Sequence, residues 1–137
     1  MSDSTSSSEF VAACRQAIGE AYVLTESHDT AAYLSDWRRR YSGATCAVLR
    51  PGTAEEVAAL VRLAASHRIA LVPQGGNTGL AGGATPDTSG KQAVISLTRL
   101  TRVRAIDTQN DTITVEAGVI LADVQARARE AGRLFSL

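Results

Sequence analysis

Apolar positions recur along this chain with two different spacings, and the alternation between them outlines the fold. Phe10, Val11, Cys14, Ala17 and Ile18 share one helical face, Ser6 and Glu9 have the spacing of a capping box, and Gly19 offers a stop, so a helix is expected after a serine-rich start. "ATCAVLRP", residues 44–51, is an apolar run of strand length ended by proline. Thr53 and Glu56 form a second capping box, after which Val57, Leu60, Val61 and Ala64 repeat at helical spacing. "IALVP", residues 69–73, reads as a buried strand that a crossover sets parallel to the first. "AVISL", residues 93–97, is a further strand, and Ile113 and Val115 alternate with Thr114 and Glu116 beyond a turn at Gln109, Asn110 and Asp111, which predicts a hairpin. Leu121, Val124 and Ala128 line one side of a last helix closed by Gly132, and "LFSL", residues 134–137, has strand character. Such a run normally feeds a turn and a partner, so the domain is expected to be unfinished. The pattern is that of an α+β fold: a mixed sheet with a parallel strand–helix–strand unit and flanking helices.

Composition narrows the partners. The chain has 137 residues, enough for one core, and 14 basic residues cancel 14 acidic ones with no clustering on one segment. That gives no footprint for nucleic acid or an acidic membrane surface, and a small molecule or another protein is the expected partner. Cys14 and Cys46 are far apart in sequence and in no CxxC arrangement, which favours two small buried hydrophobes. No run reaches membrane-spanning length, and the first residues are neither a secretory signal nor a transit peptide; a cytoplasmic protein is expected. His28 and His67 are isolated, and neither they nor Asp107, Asp111 and Glu116 suggest a metal or acid–base constellation; His67 suits the end of a helix, and the acids suit turns and strand edges. Tyr33, Trp37 and Tyr41, spaced by four, are expected to pack on one face around "RRR", residues 38–40, itself read as a solvated run.

One stretch stands apart. "PQGGNTGLAGGATP", residues 73–86, holds five of the 11 glycines within nine residues. The glycines at 75, 76, 79, 82 and 83 contain no pair two apart, so the dinucleotide and kinase patterns fail, and Gln92 after Lys91 rules out a P-loop. The loop also leads from strand to strand, away from any helix N-terminus. What fits is a nest of backbone N–H groups, in which consecutive small residues take left-handed conformations and the Asn77 and Thr78 side chains add donors. Its target would be a pyrophosphate; a flexible surface loop is the alternative.

"VLRPGTAEEVAALVRLA", "VPQGGNTGLAGGATP", "AVISLTRLTRV" and "ITVEAGVILADV" resemble, in this order, the start of the PCMH-type FAD-binding domain of the vanillyl-alcohol-oxidase-like flavoproteins. Within that family the resemblance is greatest to the branch with D-2-hydroxyglutarate dehydrogenase, the cytochrome-type D-lactate dehydrogenases and the glycolate oxidase D subunit, and it runs from about Asp36 onward. It implies non-covalent FAD held by Pro73, Gln74, Gly75, Gly76, Asn77, Thr78, Gly79, Gly82 and Gly83, since Asn77 stands where covalently flavinylated relatives carry histidine. It implies an oxidoreductase acting on D-2-hydroxy acids, with residues 1–43 preceding an incomplete domain over 44–137. The catalytic base and substrate-binding groups of the family lie beyond the matched segments, so no catalytic residue is assigned here. Ser136 departs from the family's "FPL". The chain is expected to be inactive alone, as a truncated chain or as a split subunit whose domain a second chain completes; a non-catalytic nucleotide-binding or protein-interaction module is the alternative.

Overall fold

A computed structural model describes residues 2–137, with side chains from residue 6 onward. Helix α1 (Ser2–Ile18) buries Phe10, Cys14 and Ile18 at successive four-residue steps, the stripe that periodicity demands. The helix begins earlier than its capping-box signal. Ser6 lies inside it, and its hydroxyl donates to the carbonyl of His67 at 3.3 Å, at the C-terminal end of another helix where carbonyls lack intrahelical partners. Gly19, with φ 92°, turns the chain out as expected.

A one-turn 3-10 helix at Glu20–Tyr22 leads into β1 (Val23–Leu24), a two-residue strand too short for sequence periodicity to reveal. A short helix α2 (Ser27–Thr30) and a 3-10 turn at Ala31–Tyr33 follow. Next come β2 (Ala47–Leu49), α3 (Ala54–His67) and β3 (Leu71–Gln74). Thr53 caps α3 by accepting from the Glu56 N–H at 3.1 Å, and the Glu56 carboxylate reaches back to the Gly52 N–H at 2.6 Å, so the second capping box forms. Strand β4 (Ala93–Ser96), the hairpin strands β5 (Val103–Asp107) and β6 (Thr112–Val115), and helix α4 (Leu121–Glu130) complete the described elements.

The main sheet has the order β1-β2-β4-β3, with β1 antiparallel to β2 and the other pairs parallel. Strands β2 and β3 are parallel as expected, but β4 lies between them. All four β4 residues are buried, as its apolar run predicts for a central strand covered on both faces. Ala47, Leu49, Ala93 and Ile95 face α1 and α3; Val48, Val72 and Val94 face Leu24 and Tyr33. The β5–β6 hairpin forms a separate two-stranded sheet, its turn closed by the Asp107 carboxylate accepting from Gln109 and Asn110 N–H groups at 2.9 and 3.1 Å.

Three expectations are corrected. Trp37 is 74% and Tyr41 48% exposed, so Tyr33, Trp37 and Tyr41 do not share a packed face; residues 34–43 form an irregular turn, in which spacing by four carries no periodicity. Leu121, the first residue of α4, stays 48% exposed while Val124 and Ala128 are buried. Residues 134–137 form no strand, and Leu134 and Leu137 are 85% and 80% exposed, because no described strand offers them a ladder of hydrogen bonds.

Candidate functional site

The glycine-rich stretch leaves the C-terminal end of β3, the end of a parallel sheet at which ligands are commonly received. Its shape is imposed from outside. The buried Gln74 side chain donates to the carbonyls of Tyr33 at 3.0 Å and Ala84 at 2.8 Å. Asn77, left-handed at φ 54°, donates from Nδ2 to the carbonyl of Ser35 at 2.8 Å. At Gly82, with φ 78°, an added Cβ would sit 2.9 Å from the Tyr41 ring, so both conformation and contact require glycine there.

These placements revise how the loop works. Only Asn77 and Gly82 take left-handed conformations between residues 73 and 86; Gly75, Gly76, Gly79 and Gly83 do not, so a nest of consecutive left-handed residues is absent from this loop. Those four glycines leave room instead. A Cβ at Gly79 or Gly83 would meet nothing within 4 Å, at Gly76 only the Thr78 methyl at 4.0 Å, and at Gly75 the carbonyl of Ala117 at 3.8 Å. Thr78 is exposed beside them, and Pro73 is exposed on β3.

The decisive feature is an inventory of donors. Among the described residues, no backbone N–H from Gly75 to Gly83 donates to a protein acceptor. The loop's single internal backbone bond runs from Thr85 N–H to the Gly82 carbonyl at 3.1 Å. A run of uncommitted N–H groups on a backbone in which five of nine residues lack a Cβ suits an extended, multiply charged acceptor such as a pyrophosphate. Thr85 adds a buried hydroxyl with no hydrogen-bond partner, and it lines a cavity of about 650 Å³ together with Arg40, Tyr41, Gly82, Gly83 and Gln92.

Several contributors were not singled out by sequence reasoning. Gly43 presses against the backbone of Pro86 and Asp87, where the loop returns toward β4. Gly118 does the same against Leu97 and Leu100, an approach that brings the adjoining Ala117 carbonyl beside Gly75. Glu116, just ahead of it, is buried and better placed than a strand-edge residue: its carboxylate accepts from Arg102 N–H and Nε, both at 3.0 Å, and from Arg104 at 3.2 Å. These donors, the Arg102 backbone foremost, hold its carboxyl down at about 2, so it is no proton carrier at neutral pH. Close backbone approach is the one signal that glycine in "SGAT" and "EAGV" offered, and it is visible only with the partner segment known.

The other chemistry-bearing residues lead elsewhere. Cys14 is buried and Cys46 half-buried, both are free thiols, and burial together with Cys46 pushes the Cys14 thiol up to about 12, which suits inert hydrophobes. His67 ends α3 with its ring against Phe10, centroids 5.9 Å apart. His28 is exposed beside Asp29. No group of three His, Cys, Asp or Glu able to hold a metal occurs among the described residues, and no described helix is long and apolar enough to cross a membrane.

The geometry agrees with what this chain resembles among known proteins. It is 39% identical over 121 residues to a D-2-hydroxyglutarate dehydrogenase of Xanthomonas citri pv. viticola, an alignment covering 88% of this chain and 25% of that protein. A mitochondrial D-2-hydroxyglutarate dehydrogenase of Arabidopsis thaliana is 29% identical over 110 residues, 80% of this chain and 19% of the relative. Among solved structures, 4-ethylphenol oxidase from Gulosibacter chungangensis superposes with a TM-score of 0.81 at 25% identity, over 93% of this chain and 25% of that one. The chain thus spans about a quarter or less of the length of these relatives. Residues 45–137 match the model of the FAD binding domain, and with the fold and the relatives in agreement the chain belongs to the PCMH-type FAD-binding family of flavoproteins.

Proposed function

We propose that this chain supplies the pyrophosphate cradle of an FAD-dependent oxidoreductase acting on D-2-hydroxy acids. The observation that carries the proposal is the set of N–H groups from Gly75 to Gly83 that no protein acceptor takes up, on a loop where Gly75, Gly76, Gly79 and Gly83 present no side chain. Pro73 and Gln74 set the exit from β3, Asn77 and Gly82 set the bends, and Thr78 adds a hydroxyl donor. Gln74 and Asn77 act as braces in this reading, since their side-chain amides are already bonded to protein carbonyls.

Bound FAD would accept the hydride from the substrate's CH–OH carbon; the chain's own part is to bind and orient the cofactor. Uncharged donors around a doubly negative group avoid burying an unpaired protein cation when the site is empty. Attachment is non-covalent in this reading, because residues 73–86 contain neither His nor Cys to bond the flavin ring. The relatives' names support the substrate class, and their greater length supports a base and a carboxylate clamp on polypeptide outside the 44–137 domain, in the same protein or a second chain.

Titrating the purified protein with FAD and following quenching of flavin fluorescence tests the cradle. Gly76→Val should weaken binding, because its side chain occupies the cofactor's space, whereas His67→Ala and Arg39→Ala should change it little. Equal losses at all three positions would mean that the fold, and not the site, was damaged.

A further inference from the structure

We propose that Asp36 is a positioning residue that holds the glycine loop in its cofactor-receiving shape; this rests on the reading of residues 75–83 as the FAD cradle. Asp36 is only 4% exposed, and its carboxylate accepts from three backbone N–H groups: Arg40 at 2.7 Å and Tyr41 at 2.8 Å on Oδ1, and Arg38 at 3.2 Å on Oδ2. Those donors, Tyr41 first, hold its carboxyl below the usual range, so it is ionised at neutral pH. A buried charge is tolerated only when so satisfied.

The turn that this carboxylate closes is the external support of the loop. Asp36 N–H donates to the Tyr41 carbonyl at 3.1 Å, Arg39 N–H donates to the Asp36 carbonyl at 3.0 Å, and Ser35 bridges Ser42. Arg39 is thereby kept at φ 56°, a conformation that a non-glycine side chain rarely takes. From this turn and the residues just before it come the acceptors of both bracing amides, Tyr33 for Gln74 and Ser35 for Asn77, and also the Tyr41 ring that covers Gly82. Between Gln74 and Gly82 the loop has no backbone bond of its own, so its order is borrowed from residues 33–41. This also gives a reason for the "DWRRRY" stretch: Trp37 and the three arginines are the exposed outside of a turn built around Asp36.

The test is nitrogen-15 relaxation on the labelled 137-residue chain without cofactor. In the wild type, residues 77–83 should show order parameters near those of rigid backbone, about 0.85. Asp36→Ala should drop them below about 0.6 while β2 and β4 stay rigid. Asp36→Asn, which retains Oδ1 for the two shorter bonds, should give a smaller drop, and Trp37→Ala none. Asn77→Ala should loosen the loop while leaving residues 36–42 ordered. A loop already mobile in the wild type, an unchanged loop in Asp36→Ala, or a loss of order spread equally through β2 and β4 would each overturn the proposal. Should Asp36→Ala fail to fold, an unchanged loop in Asp36→Asn overturns it. FAD titration of the same samples separates the two readings: a rigid wild-type loop that binds no FAD sinks the cradle and leaves the role of Asp36 in loop order standing.

Discussion

Replacing Gly43 with alanine should destabilise the whole domain although it adds a single methyl group. An ideal Cβ at this position would lie 1.9 Å from the Pro86 carbonyl oxygen and 2.6 Å from both the Pro86 carbonyl carbon and the Asp87 oxygen, all backbone atoms that cannot swing aside. Reaching an ordinary contact of 3.4 Å needs a displacement of about 1.5 Å between the two segments, the difference between 3.4 and 1.9 Å. Such a shift breaks the bond from Ala44 N–H to the Asp87 carbonyl, now 2.7 Å. The lost hydrogen bond costs about 1 kcal/mol and the overpacking about 2 kcal/mol, offset by about 0.7 kcal/mol from a stiffer unfolded chain, for a net loss of about 2 kcal/mol. For a domain of this size that is a fall in Tm of about 7 °C. Gly79→Ala is the control: its Cβ meets nothing within 4 Å and its φ is not positive, so Tm should stay within about 2 °C. Thermal denaturation followed by far-ultraviolet circular dichroism reads both. A Gly43→Ala protein melting within about 2 °C of wild type would refute the claim that this contact is rigid.

Three further outcomes are expected. Flavin taken up by the protein should migrate away from the polypeptide on a denaturing gel, and fluorescence retained in the protein band would contradict non-covalent binding. Glu116 has its carboxyl lowered from the ordinary 4.5 to about 2, so the stability it contributes is present above about pH 4.5 and is lost as pH falls toward 2; Glu116→Gln should be less stable at pH 7 and should flatten that acid limb in denaturant titrations. Cys14 is displaced the other way, from 9.0 to about 12, so its thiol should resist alkylation in the native state and stability should decline as pH rises above about 9; rapid labelling of native Cys14 by iodoacetamide at pH 8 would show that its burial is misjudged.

What was legible in the chain beforehand follows from locality. The stripe Phe10, Cys14, Ile18, the Thr53–Glu56 cap, the hairpin turn at Gln109, Asn110 and Asp111 and the buried strand β4 each depend on interactions within a few residues or on burial of a whole face, and each appears in the structure. The glycine loop was legible for the same reason, since five glycines between two prolines can serve little but backbone shape and close approach. The first of these roles was overstated: left-handed backbone occurs at Asn77 and Gly82, while most of the glycines supply open space.

Tertiary structure alone decided the rest. Ser6 left its expected cap for the end of α3, because an unpaired helical carbonyl sixty-one residues away is a better partner than a helix start that the chain had already passed. The two-residue β1 exists only because β2 has an edge to fill, and β4 entered between β2 and β3 because pairing is settled by which strand can be buried on both faces. Asp36, Gly43 and Gly118 acquire their roles from backbone groups that are distant in sequence or hidden in an irregular turn, where no period of 2 or 3.6 residues announces them. Periodicity and capping reveal which residues can form an element, whereas the order of strands, the bracing of the loop and the fit of one backbone against another are set by long-range contacts that exist only once the chain has closed on itself.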